Sequence, residues 1–352
     1  MFHESQFGFR AKYSTEDALE NVLNQIYTGL DNDNSVSGVF LDVQKAFDTV
    51  HHGKLLEKLE LYGVSGVAYS WLLDYLSNRR QIAKINDIYS SSTPVNCGVP
   101  QGSVLGPLLF LIYVNDIFQL NLSSKLTLFA DDTASINICR NSNQAIHDVG
   151  SDLQTILQWF NQNLLTLNID KCNYVNFALR ESNAYNRQLI VHNPRCESTT
   201  PCNCASINSV NNVKYLGVCL DSKLNWKLHI NHIVNRFRAL LCKMYYLRKF
   251  VSLSTLKSFY FAMGQSILQY SISCWGGTYM NAIAPLIVLQ NKLLKVMTFK
   301  TQRSPSLPLY QELEILPVRR LYIYRTIVDF RKKGAHITNR QLSNYHTRGE
   351  AK

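Results

Sequence analysis

The chain has 352 residues, 46% of them hydrophobic, enough to bury a sizeable core in two or three subdomains. Lys and Arg number 36 against 25 Asp and Glu, and the net charge of +11 is unevenly spread: residues 1–220 carry 15 basic and 20 acidic side chains, residues 221–352 carry 21 and 5. No apolar signal region stands at the N-terminus, so secretion is not expected, and the cationic second part suits a phosphate backbone or, more plainly, a solvated basic face.

Gln6–Arg10 (QFGFR) leads into Ser14, Thr15, Glu16 and Asp17, a capping-box pattern, and Ala18, Leu19, Val22, Leu23, Ile26 and Leu30 follow at helical spacing. Val36–Val43 (VSGVFLDV) is a β-branched strand ending on Asp42. His51 and His52 head a helix through Tyr62 and read as polar loop residues. Ser65–Leu76 is a second helix, with Trp71, Leu72 and Tyr75 on its apolar side. Arg79 and Arg80 precede the alternating run QIAKIND. Gly98–Ser103 (GVPQGS) is a breaker-rich loop that opens an apolar helix over Pro107–Ile117, which Asn115 and Asp116 close.

Leu126–Ile138 (LTLFADDTASINI) alternates on both sides of Asp131 and Asp132. That pattern predicts a hairpin with acids at its tip, although no Asn-Gly or Asp-Gly marks a tight turn. A long amphipathic helix follows over Ser142–Leu167, then Asn168–Cys172, then a strand over Asn173–Leu179. Residues 180–210 are polar and irregular. Val213–Asp221 (VKYLGVCLD) is a strand with Gly217 in its middle. From Trp226 the chain reads as helices near 226–250, 253–275, 281–300 and 318–333, the first crowded with Lys223, Lys227, Arg236, Arg238, Lys243, Arg248 and Lys249.

Adjacent carboxylates repel unless a cation or solvent neutralises them, and an isolated Asp pair reads as a solvated turn. Asp42, at the end of another strand, changes that reading. A charge there is costly unless it is paired or used. Three carboxylates from two neighbouring strand ends could hold two divalent ions, which activate a 3′-hydroxyl and stabilise the leaving oxygen of a phosphoryl transfer. Mg²⁺ suits oxygen ligands shared with substrate phosphates, with Mn²⁺ able to substitute.

Three segments carry a resemblance: FLDVQKAFDTV (Phe40–Val50), GVPQGSVLGPLLF (Gly98–Phe110) and FADD (Phe129–Asp132). In order, spacing and wording they resemble the palm motifs of reverse transcriptases of non-LTR (LINE-type) retrotransposons, in the jockey and CR1 neighbourhood. The resemblance runs from Gln6 to Arg325. It implies an α+β right-hand polymerase with partial fingers, an antiparallel-sheet palm covered by helices, and a helical thumb. The expected divisions are partial fingers over 1–35, palm over 36–180 with a finger hairpin near 79–97, a polar insertion over 181–210, a primer-grip-like hairpin over 211–225, and a basic thumb with C-terminal extension over 226–352. The family has further strands before this point, so the chain is expected to begin inside the fingers.

The resemblance also implies roles. Asp42, Asp131 and Asp132 would hold Mg²⁺, with the backbone carbonyl of Val43 beside them. Phe47 would pack under the sugar and exclude a 2′-hydroxyl; on its own it reads as a core aromatic. Gln101 and Gly102 would align template and incoming nucleotide. Arg10 would grip the triphosphate, although an exposed loop cation reads equally well. Lys171 would sit near the pyrophosphate as general acid. Tyr215, Leu216 and Gly217 would grip the primer end. The implied partners are an RNA template, a DNA primer, the RNA–DNA duplex and dNTP substrates, held through phosphates and shape rather than base edges.

Two rival readings stay open: a catalytically inactive fragment of this kind that binds nucleic acid, and an RNA-directed RNA polymerase, against which Phe47 argues. Nine scattered cysteines fit a reduced compartment, and residence in nucleus or cytoplasm is implied by the family. Cys196, Cys202, Cys204 and His192 match no standard zinc spacing. Ser258–Asn291 has no charged residue, but its glutamines, serines and Gly276-Gly277 argue for buried helices over a membrane span.

Overall fold

A computed structural model describes residues 2–178, 188–192 and 204–332. The chain divides into two compact units, Met1–Leu224 and Asn225–Lys352. In the first, helix α1 (Thr15–Asp31) starts on the capping box that the sequence announces: the Ser14 hydroxyl accepts the Asp17 N–H and the Asp17 carboxylate accepts the Ser14 N–H. Its buried stripe of Leu19, Val22, Leu23 and Ile26 contributes about 2 kcal/mol per side chain.

Strand β1 (Ser35–Leu41) follows, then a 3₁₀ turn (Ala46–Asp48), α2 (His52–Leu61) and α3 (Gly66–Leu76). His51 caps α2 by accepting the Lys54 N–H, a structural task that fits its reading as a polar loop residue. In α3, Leu72 and Tyr75 pack against the core, but Trp71 is 56% exposed, so the expected apolar side is narrower than its sequence suggests. An exposed hairpin comes next, built from β2 (Arg80–Gln81), β3 (Lys84–Ile85), β4 (Ile88–Tyr89) and β5 (Thr93–Pro94).

Helix α4 (Leu105–Val114) gives way to a 3₁₀ turn at Asn115–Gln119, where Asp116 pairs with Lys58 at 2.8 Å. Strands β6 (Lys125–Phe129) and β7 (Asp132–Cys139) form the expected hairpin. Helix α5 (Ser142–Gln162) ends five residues before its predicted limit, because Leu164 turns left-handed (φ 54°) and the Tyr113 hydroxyl takes the Asn163 carbonyl. Strand β8 (Asn173–Phe177) completes an antiparallel sheet of order β6-β7-β1-β8. Residues on β1 alternate between two cores. Val36 lies by Gly29 of α1, whereas Val39 and Leu41 join the main cluster with Val149, Leu153 and Ile156 of α5.

The stretch expected to be irregular holds a two-stranded sheet, β9 (Leu189–Val191) with β10 (Ala205–Ile207), whose Leu189 and Ile207 are buried in that cluster. Cys196 and Cys202 lie outside the described residues. Val213–Asp221 is not one strand. It is a hairpin of β11 (Asn212–Tyr215) and β12 (Val218–Asp221), turned at Leu216 and Gly217 with φ of 43° and 80°.

In the second unit, α6 (Lys227–Leu247) packs on α10 (Met280–Met297). The predicted helix over 253–275 is broken into α7 (Leu253–Phe259), a π-helical turn (Tyr260–Gln265), α8 (Ser266–Gln269) and α9 (Ile272–Trp275), with Ser271 left-handed at φ 50°. Short α11 (Leu307–Glu312) and α12 (Val318–Lys332) follow. Fully buried Gln290 ties them together: its Oε1 accepts from the Tyr310 hydroxyl and Val318 N–H, and its Nε2 donates to the Tyr260 hydroxyl and the Leu316 carbonyl. Among the described residues no helix is long and apolar enough to cross a membrane.

Candidate active site

The register of the sheet builds the site. Leu41 pairs with Thr133, so Asp42, one residue beyond β1, comes level with Asp132 at the start of β7. Phe129 pairs with Asp132, which leaves a two-residue turn of Ala130 and Asp131. The turn needs no Asn-Gly because Ala130 itself takes φ 56°.

These acids feel one another. Burial, and then the charge of Asp42, raises the Asp131 carboxyl above its ordinary range, against the pull of a backbone hydrogen bond. Asp132 keeps an open side to solvent, yet lost hydration and the charges of Asp131 and Asp42 push it up to about 6. Lys171 Nζ lies 3.6 Å from Asp42 Oδ2, the lysine exposed and the carboxylate partly so, a loose pair worth little by itself. It arrives there by backbone. Asn168 N–H donates to the Asp42 carbonyl and Gln44 N–H to the Thr166 carbonyl, docking the 3₁₀ turn Ile169–Lys171 on the exit of β1. That bridge bonds through the neighbours of Val43 and takes nothing from its carbonyl, while the Val43 side chain is buried.

The donor chemistry, three carboxylates beside the loosely paired Lys171, fits a hard divalent ion. Among the described residues no group of three or more His, Cys, Asp or Glu is placed so as to hold a metal ion.

A second cluster forms where the glycine-rich loop meets the turn after β1. Gly98 N–H donates to the Val50 carbonyl and Val99 N–H to the Phe47 carbonyl. A Cβ on Gly98 (φ 91°) would stand 2.8 Å from the Asp48 carbonyl oxygen, so the approach demands glycine. Gly102 (φ 78°) is glycine for its backbone angle alone, since nothing would crowd a Cβ there. Gln101 Nε2 donates to Asp48 Oδ1 at 2.8 Å. Phe47 stacks on Phe110 at 4.6 Å and meets the edge of Phe9 at 5.9 Å, so its ring is fixed while half-buried.

Arg10 is brought to neither cluster by its own bonds. Its guanidinium donates to the His3 and Gln6 carbonyls, both at 2.7 Å, and lies over the Tyr13 ring. Tyr215 is 4% exposed against Phe40, so it supports the tip of its hairpin from below, and Leu216 and Gly217 form that tip. Its hydroxyl is buried without a hydrogen-bond partner among the described residues. Burial, and then the charge of Asp132, holds this phenol well above its usual range. Sequence reasoning did not single out Gln6, Gly8 or Phe9 as site residues. The signal lay in QFGFR, whose two small or polar positions carry no chemistry by themselves.

Residues 1–220 match the family described as "Reverse transcriptase (RNA-dependent DNA polymerase)". The chain belongs to the reverse transcriptase family. It is 31% identical over 305 residues to the probable RNA-directed DNA polymerase from transposon X-element of Drosophila melanogaster, covering 84% of this chain and 32% of that protein. It is 29% identical over 304 residues to the RNA-directed DNA polymerase from mobile element jockey of the same organism, covering 82% and 31%. The chain therefore spans about a third of the length of these curated relatives. Among solved structures, apo telomerase from Candida tropicalis matches at 12% identity with a TM-score of 0.43, over 94% of this chain and 56% of that one.

Proposed function

We propose that this chain catalyses RNA-directed DNA synthesis, adding deoxynucleotides to a primer 3′-hydroxyl. The observation that carries the reading is the register that sets Asp42 level with the Asp131–Asp132 turn, where the three carboxylates repel one another. Asp42, Asp131 and Asp132 would hold Mg²⁺ or Mn²⁺, the remaining ligands being water, the Val43 carbonyl and nucleotide phosphates. When bound, such ions lower the pKa of an attacking hydroxyl and stabilise charge on the leaving oxygen. Lys171 would hold a proton beside the leaving pyrophosphate. The Phe47 ring, wedged between Phe9 and Phe110, would fill the space a 2′-hydroxyl needs. Gln101 and Gly102 would lie against the nascent pair, and Arg10 would order the segment next to the triphosphate. Leu216 and Gly217 would meet the primer end over Tyr215.

The proposed divisions are fingers over 1–35, palm over 36–180 with the hairpin at 79–97 reaching to the template, an insertion over 181–210, the primer-grip hairpin over 211–225, and a thumb from 226. Lys227, Arg236, Arg238 and Lys243 are exposed on α6, spread to both sides of its buried stripe of Ile230, Ile233, Phe237 and Leu240, charges suited to duplex phosphates. Residence would be intracellular, where template RNA and dNTPs are found.

The test is extension of a DNA primer on an RNA template with dNTPs and Mg²⁺. The wild-type chain should extend and the Asp131→Ala/Asp132→Ala chain should not. Salt-dependent duplex binding with no incorporation by either would leave only a binding role.

A further inference from the structure

Glutamine is mostly exposed in folded proteins, but Gln6 is fully buried. Its Oε1 accepts two backbone N–H groups, Gly8 at 2.9 Å and Ala130 at 3.2 Å. The first bond folds residues 6–8 on themselves. The second reaches the turn between β6 and β7. Backbone bonds flank it: Leu128 N–H donates to the Ser5 carbonyl at 2.9 Å, and Phe7 N–H to the Leu128 carbonyl at 2.8 Å. Gly8 closes the contact, since a Cβ there would stand 2.3 Å from the Ala130 nitrogen. Backbone meets backbone at that point, so no rotamer change could relieve it.

What this segment holds is a strained turn. Ala130 is buried and left-handed, a conformation that strains any residue with a Cβ. Without Gln6 its N–H would also lose its acceptor inside the protein. Asp131 and Asp132 come next in the chain, so the angle at Ala130 sets where both carboxylates point.

We propose that Gln6 is a positioning residue for Asp131 and Asp132, its buried carbonyl locking the Ala130 turn onto the N-terminal segment, with Gly8 as the close-approach spacer. Its consequence for cation binding rests on the polymerase reading; the hydrogen bond does not.

Three measurements on the full chain test it. Amide hydrogen exchange should find Ala130 protected in the wild type, and an unprotected Ala130 overturns the proposal without any variant. Gln6→Met keeps the length and loses the acceptor; exchange at Ala130 should quicken by about tenfold or more. Gln6→Glu, protonated when buried, still offers a carbonyl oxygen and should restore protection. Titration with Mn²⁺ alone should find affinity about tenfold weaker in Gln6→Met, as for other residues that orient metal ligands. Ala130→Gly removes the strain, so Gln6→Met should cost less affinity in that background than in the wild type. Unchanged exchange or Mn²⁺ affinity in Gln6→Met, or strictly additive effects with Ala130→Gly, overturns the proposal. A wild-type chain that binds Mn²⁺ through a protected turn but extends no primer would instead defeat the polymerase reading and leave the lock standing.

Discussion

Gln101 donates its side-chain amide to the Asp48 carboxylate, and through that bond the glycine-rich loop is tied to the turn that carries Phe47. The two residues lie 53 positions apart in the chain, so neither local propensity nor strand pairing brings them together. The bond sets the Gln101 amide before a nucleotide arrives. Asp48→Ala should free it and raise KM for dNTPs about fivefold with kcat nearly kept, the loss of one net hydrogen bond. Steady-state kinetics of Asp48→Ala, Gln101→Ala and the double variant check this. The double variant should be little worse than Gln101→Ala alone.

Phe47 is held on two sides by rings, so its own ring cannot swing aside for a ribose. Phe47→Val opens that space. The ratio of ribonucleotide to deoxynucleotide incorporation should rise by at least about tenfold, as expected when a steric block is removed from a discriminating site. Single-nucleotide extension with matched dNTP and rNTP measures it, and an unchanged ratio would remove Phe47 from sugar selection.

Arg236 and Lys243, seven positions apart, are exposed along one flank of α6, beside its buried stripe. Arg236→Gln and Lys243→Gln should weaken RNA–DNA duplex binding alike for every sequence. Each should lower the slope of log affinity against log salt by about one. Binding isotherms across a salt series read this directly, with melting temperature as a check that the fold is kept.

His229 gives the second unit a dependence on pH. It is buried between Trp226 and Trp275, and lost hydration, with His232 adding repulsion, lowers it from 6.5 to about 4. Below pH 6.5 the unfolded chain takes up this proton while the folded one does not, so stability is full above that value. It should fall by at most about 1.4 kcal/mol per pH unit until about pH 4, where the folded state protonates too. Urea melts at pH 7.5, 6 and 5 should follow that slope, and His229→Gln should flatten it.

Much of this was legible in the sequence where a local rule governs. The Ser14–Asp17 box starts α1 as written, and the alternation around Asp131 gives the β6–β7 hairpin with its acids at the turn. The level placement of Asp42 follows from register, which one sequence suggests only through the resemblance of its motifs. What escaped rests on contacts and backbone angles that residue type does not announce. The sequence also does not show that the Arg10 Nη1 donates to two carbonyls of its own loop. The break at Ser271 has no proline or charge to announce it, and Leu216 takes a left-handed angle that its residue type disfavours, which hid a hairpin inside an apparent strand. The role of Gln6 has no local signal, because its acceptor serves a turn 124 residues away.

The central claim is that Asp42, Asp131 and Asp132 hold one shared divalent-cation site. Fe²⁺ with ascorbate, added in place of Mg²⁺, cuts backbone beside the bound ion and so reports the site without any turnover. The account predicts two cleavage zones, one around residues 40–44 and one around 129–133, both competed away by Mg²⁺ and both lost in Asp131→Ala/Asp132→Ala. Cleavage confined to one zone, or unaffected by that substitution, would contradict it.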